Sequence, residues 1–361
     1  MKEINSCSKK LNRRKLLAGV GGIGATALAG CAGAGADDSE VQAAFVFDGQ
    51  IGDQGWIHSH NLSRELIEDE NDWLDTSFQE DVSPEEAERV INDFVEAGFD
   101  IIFTTSESFE EQTARAAENH PDTYFESCNG FETADNLSRY GVRVSDGRYC
   151  IGAAAGLLTE TDRLGMIAGF PVPLAFRDIN AFALGAQSTN PDAEVEVRFT
   201  NSWFAPQDAT TIANDFASDD IDVVCSNLDD TGTVSTANDV GIWGSGIYSS
   251  MSDAGGDWYL SSPIASWEAI YEDRCRAVRN DEWETQEVWV GMNEGAITLD
   301  DFGPEVPEEA VEAAFEARDG IQSGDVNIWE GSQFEDQDAG VGGPIETQMD
   351  EYVDSVVGSP P

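Results

Sequence analysis

The residues with the most chemistry to offer lie in one loop. In Phe47-Asp48-Gly49-Gln50-Ile51-Gly52-Asp53-Gln54-Gly55-Trp56-Ile57-His58-Ser59-His60, the Asp53 carboxylate, the Trp56 indole and free backbone N–H groups stand among three glycines. An anionic acceptor beside an aromatic face suits a flat heterocycle with ring N–H donors. The same residues would also serve a plain turn, with Trp56 lying over the core. His58 and His60 suggest a metal pair, but two residues apart on a helix they face different directions, so no metal is expected. No Gly-x-Ser-x-Gly elbow, His-Glu-x-x-His or phosphate-cradling Walker loop is present.

A strand and a helix must hold that loop. Ala43–Phe47 reads as a fully buried strand, and Trp56 opens a helix with Ile57, Asn61, Leu62 and Leu66 on one face. In an open α/β sheet, ligands bind at the carboxyl ends of the strands. Further strands are read at Asp75–Gln79, Ile101–Thr104, Tyr124–Ser127 and Leu137–Val144, with helices at about 56–69, 84–97 and 108–119. Ser83-Pro84-Glu85-Glu86 is a helix start with proline in the first turn. A second alternating run follows: helix 149–159, strand Leu164–Ala168, helix 175–188, strand Glu194–Asn201, helix 208–217, strand Val223–Leu228, helix 231–240 and strand Ile247–Ser249. The last third departs from the pattern, with a helix at Ala265–Arg279, strands near Val288–Met292 and Ala296–Leu299, and an amphipathic helix at Pro307–Ser323. Two runs of this size predict an α/β protein of two doubly wound, Rossmann-like lobes.

Targeting and charge bound the setting. Asn12-Arg13-Arg14-Lys15-Leu16-Leu17 is a twin-arginine start, and the small apolar stretch after it ends in Leu28-Ala29-Gly30-Cys31, which looks like a lipobox. Residues 1–30 are read as a signal, Cys31 as the lipidated first residue of an extracytoplasmic protein on the outer face of the membrane, and 31–40 as a flexible tether. All four lysines fall in the signal; beyond it, thirteen arginines face sixty-nine acidic residues, a balance of −56. Such a surface excludes nucleic acid as a partner. A 40% apolar content with nine tryptophans argues for a real core rather than disorder. The composition is that of an extreme halophile, in which molar salt shortens the Debye length to about 3 Å. Paired carboxylates such as Glu110-Glu111 and Asp229-Asp230 are then expected to be solvated surface rather than acid–base machinery. Cys128, Cys150, Cys225 and Cys275 could form two bridges or remain four buried thiols.

Several long motifs in one order carry a family resemblance. Gly52-Asp53-Gln54-Gly55-Trp56 with His60, Ile101–Ser106, Gly169-Phe170-Pro171-Val172-Pro173, Ile179–Ala186, Val195–Phe204 and Asp301-Phe302-Gly303-Pro304 resemble the basic membrane protein family of ABC-transporter substrate-binding lipoproteins, from about Val41 to Gly331. The resemblance implies the type I periplasmic-binding fold, two lobes joined by hinge crossovers, no cofactor, and a purine base or nucleoside passed to a membrane permease by what is expected to be a monomer. Residues 41–146 with about 262–285 would form the first lobe, 147–255 with about 286–330 the second, and 331–361 an acidic tail. Position by position, it implies Asp53 and Trp56 as first-loop carboxylate and stacker, with Ser106, Phe109, Asn129 and Gly130 on the same wall. Trp203, Phe204, Asp229 and Ser250 would face them, with Trp267 near the hinge. Trp56 and Trp203 or Phe204 would clamp the ring while Asp53 or Asp229 accepts its N–H groups. The chain departs from nucleoside binders at Ile57, where they place Asn, at Ser250, where members often carry Asp, and in having no lysine after the signal. These departures tilt the expectation toward a free base. A nucleoside hydrolase or phosphorylase, and a sensory lipoprotein, are the rival readings.

Overall fold

The computed structural model describes residues 41–358, so the signal, Cys31 and the tether lie outside the described residues. Short apolar runs become parallel strands because both of their faces are covered by helices. The first set is β1 (Val41–Val46), α1 (Gly55–Glu70), β2 (Leu74–Gln79), α2 (Pro84–Ala97), β3 (Ile101–Thr104), α3 (Glu110–Asn119), β4 (Tyr124–Cys128) and β5 (Leu137–Val142). The chain then crosses into α4 (Val144–Leu158), β6 (Arg163–Ala168), α5 (Pro173–Thr189), β7 (Glu194–Phe199), α6 (Pro206–Ser218), β8 (Val223–Asn227), α7 (Gly232–Val240), β9 (Trp243–Ser245) and α8 (Ser252–Gly255). The remainder is β10 (Pro263–Ala265), α9 (Glu268–Arg279), β11 (Glu287–Val290), β12 (Ile297–Leu299), α10 (Glu308–Ser323), α11 (Pro344–Thr347) and β13 (Val356–Val357).

Two sheets result, in the orders β11-β5-β4-β3-β1-β2 and β13-β7-β6-β8-β9, each parallel throughout. They are two doubly wound lobes. The chain passes between them after β5, after β9 and after β11, and the antiparallel pair of β10 with β12 lies at these crossings. Local signals act as the sequence suggests at α2: Ser83 stands extended at the N-cap, Pro84 follows, and Gly98 closes the helix at φ +88°.

Four expectations need correction. α1 buries Ile57, His60, Arg64 and Ile67, while Leu62 and Leu66 stand exposed. The helix is turned because α9 packs beside it and stacks Trp267 on His60. The strand expected at 247–249 lies instead at β9, and Tyr248 is left-handed at φ +64°. Glu287–Val290, expected with the second lobe, pairs with β5 and covers that edge of the first sheet. Residues 331–358 are no loose acidic tail: Ile345, Met349 and Val353 are buried, and β13 joins the second sheet beside β7. Glu346 in this segment pairs with Arg139 of β5 at 3.2 Å while its carbonyl accepts from Arg177 of α5, so the segment touches both lobes.

Candidate ligand-binding cleft

The loops after the strands of both sheets face one cavity of about 590 Å³. Asp48 to Ile51 follow β1, Asp81 follows β2, Ser106 and Glu107 follow β3, and Asn129 follows β4. From the second lobe come Phe170 after β6, Ser202, Trp203 and Phe204 after β7, Asp229 after β8, and Tyr248 after β9. This is the carboxyl-end crevice of an open α/β sheet, doubled, and its volume lies within the range of small-molecule sites, about 300–1,000 Å³.

The walls differ in chemistry. The first lobe supplies Asp48, Asp81 and Glu107; the second supplies four aromatic rings, Phe170, Trp203, Phe204 and Tyr248. No Lys, Arg or His lines the cavity among the described residues. Trp56 is the aromatic side chain of the first wall. Its Nε1–H donates to Thr105 O at 2.8 Å, and its ring meets His60, Tyr248 and Trp267 edge-on at 4.6, 5.0 and 5.0 Å. The indole is therefore fixed in orientation, with part of its surface left to the cavity. Trp203 packs edge-on to Phe170 at 5.4 Å and lies close over Gly169, where a β-carbon would come within 2.3 Å of the indole.

The carboxylates are unequal. Asp48 is wetted from the cleft yet walled by protein, and the lost solvation pushes its carboxyl up while the Ser106 hydroxyl pulls the other way. Glu107 is raised by the same desolvation, against the pull of Arg177 behind it. Asp229 is pushed up to about 7 by burial, partly offset by the Trp56 N–H that it accepts at 2.6 Å.

This architecture agrees with the sequence match. Residues 40–328 match the family described as ABC transporter substrate-binding protein PnrA-like, or Bmp. The chain belongs to the Bmp family. It is thus an ABC transporter substrate-binding protein. Among Bmp relatives, a purine-binding protein of Brucella abortus is 35% identical over 83% of this chain and 86% of its own length. A Haloferax volcanii protein bearing the name of an ABC transporter glucose-binding protein is 33% identical over 97% of this chain and 98% of its own. Two solved structures share the fold. They are ABC transporter solute-binding proteins from Conexibacter woesei and Aeropyrum pernix, each 18% identical, with TM-scores of 0.67 and 0.69. Each covers 80% of this chain, matched along 98% and 92% of its own length. The type I periplasmic-binding fold is therefore the fold of this Bmp protein.

Six of the expected site residues line the cavity: Trp56, Ser106, Asn129, Trp203, Phe204 and Asp229. Five lie elsewhere. Asp53 is exposed outside the lining, and Asp48 holds the place at the end of β1. Phe109 is fully buried beneath α2 and α3. Gly130 packs on Ser127, and its carbonyl accepts from Arg139. Ser250 is exposed and bonded to Asp300 at 2.5 Å. Trp267 is fully buried behind Trp56, where its Nε1–H donates to Ser59 Oγ at 3.1 Å. Sequence reasoning missed Asp48, Glu107, Phe170 and Tyr248. The strand-end rule marks the first two, and the Gly169–Pro173 motif contains the third. The four cysteines of the described residues are all free and buried.

Proposed function

We propose that this Bmp protein takes up a purine base or nucleoside in the cleft and hands it to an ABC permease. The observation that carries this reading is the make-up of the cavity: indole and phenyl faces from both lobes, acceptor-rich carboxylates on one wall and no cation. Ring N–H groups of a neutral purine are donors for Asp48 and Glu107, and each aromatic stack contributes about 1–3 kcal/mol. Hydrogen bonds to charged acceptors contribute about 1.5–3 kcal/mol each. Two stacks and two such bonds cover the roughly 8 kcal/mol of micromolar affinity. None of these terms is a long-range charge attraction, so they persist in molar salt. The Brucella relative is named for purine binding, which supports the same ligand class. Ile57 on the cavity wall, exclusion of Ser250 from it and the absence of lysine after the signal favour the free base over the nucleoside. The proposal includes a lipid on Cys31 that holds the protein, as a monomer, at the outer face of the membrane.

A sugar is the second reading, favoured by the name of the Haloferax relative. Calorimetry in molar KCl with hypoxanthine, adenine, inosine and glucose separates the two. Stoichiometric heat with a purine and none with glucose supports the proposal; binding of glucose alone overturns it. Chromatography of the inosine sample tests the hydrolase reading, since released base would mean catalysis.

A further inference from the structure

α1 begins without a cap of its own. Gln54 at its N-cap position is extended, and its side chain bonds none of the first-turn amides. The first four N–H groups of a helix have no partner inside it. Here two are met from the opposite lobe. Gly55 N–H donates to Ser249 Oγ at 2.9 Å, and Trp56 N–H donates to Asp229 Oδ1 at 2.6 Å. Asp229 follows β8 and Ser249 follows β9, so both bonds span the cleft. Gly55 sits at φ +88°, and a β-carbon there would stand 2.6 Å from Asp229 Oδ1 and 2.8 Å from its Cα. Only glycine combines that dihedral with so close an approach.

We propose that Asp229 and Ser249 are closure residues: the second lobe caps α1, and Asp229 acts on the ligand by positioning Trp56 rather than by accepting the ligand's hydrogen bonds. Asp229 Oδ1 accepts the Trp56 N–H and Ser249 Oγ the Gly55 N–H, so the second lobe supplies the partners that the helix end lacks before any ligand arrives. Capping and indole orientation come together because Trp56 is the second residue of the helix. Opening the cleft breaks both bonds and returns the amides to water. The inference rests on the two lobes parting, not on which molecule they hold.

The test needs no ligand. Hydrogen exchange resolved at residues 51–60 and the radius of gyration from X-ray scattering are compared for the unliganded wild type, Asp229→Ala, Asp229→Asn and Ser249→Ala, with circular dichroism confirming the fold. Asp229→Ala should speed exchange at the Trp56 amide by about ten- to a hundred-fold and enlarge the molecule. Asp229→Asn, whose side-chain carbonyl still accepts, should restore most of the protection. Ser249→Ala should release the Gly55 amide, and it decides the matter should the Asp229 variants misfold. Unchanged exchange and size in the folded variants, or fast exchange of both amides in the wild type, overturns the proposal. A failure to bind purines leaves these readouts standing.

Discussion

Trp56→Ala probes the clamp most directly. The indole has two jobs, and their magnitudes differ. As a stacking face it contributes about 1–3 kcal/mol, so its loss should raise Kd about 5- to 150-fold. As a packing unit it touches His60, Tyr248 and Trp267 and bonds Thr105 O. Full burial of such a ring would make truncation cost about 3–5 kcal/mol, and its partial exposure to the cleft brings that down to roughly 2–3 kcal/mol. The variant should therefore melt several degrees lower while still folding. Trp56→Phe falls between the two, because it keeps a smaller aromatic face while losing the Nε1 bond and the area of the second ring. Calorimetry in molar KCl, well below the melting point, should rank affinity as wild type, then Phe, then Ala, using the purine that binds wild type. A wild-type Kd in folded Trp56→Ala would refute the stacking argument.

The other expectations concern the opposite wall, the proton and the medium. Gly169→Ala places a β-carbon 2.3 Å from the Trp203 indole, so Trp203 must shift; titration should show affinity reduced at least severalfold, whereas an unchanged Kd would mean that Trp203 does not touch ligand. Asp229 stands at about 7 in the closed cleft against an ordinary 3.8, so the closed form holds a proton that the open form releases. Its contribution to closure is then full below about pH 4 and is lost as pH rises through 7; scattering should show a more open unliganded protein at pH 8 than at pH 6, with the difference absent in Asp229→Asn. Diluting salt from molar to millimolar lengthens the Debye length more than tenfold and unscreens the acidic surface, so the melting temperature should fall steeply. A flat melting curve across that range would contradict the halophile reading.

The strands were legible because buried parallel strands are continuous apolar runs, and Ala43–Phe47 or Ile101–Thr104 have no other use for such composition. Edge strands were less so. Val288-Trp289-Val290 looks the same whichever sheet accepts it, and only the open side of β5 decides. Asp48 escapes the sequence and Asp53 stands in its place because, in a chain with seventy acidic residues, a carboxylate is marked by position alone, and a five-residue error crosses from the cavity to its outside. Phe109 and Trp267 share their residue types with Phe170 and Trp203. What separates core from cleft is the layer behind each ring, which no local pattern records. Tyr248 was hidden for another reason: a left-handed aromatic residue is held by its surroundings, here Ala265 N–H donating to its carbonyl at 3.0 Å, and its own sequence preference is for extended backbone.

The late origin of β11 and β13 bears on how the molecule is made. One lobe lacks an edge strand until residues 287–290 emerge from the ribosome, and the other until residues 356–357 do. A nascent chain would carry two sheets, each one strand short and with a raw border, the kind of species that aggregates through strand-to-strand pairing. Maturation of the second half is thereby deferred to the end of synthesis, and a premature stop within the last few dozen codons would spoil a domain whose other strands were complete long before.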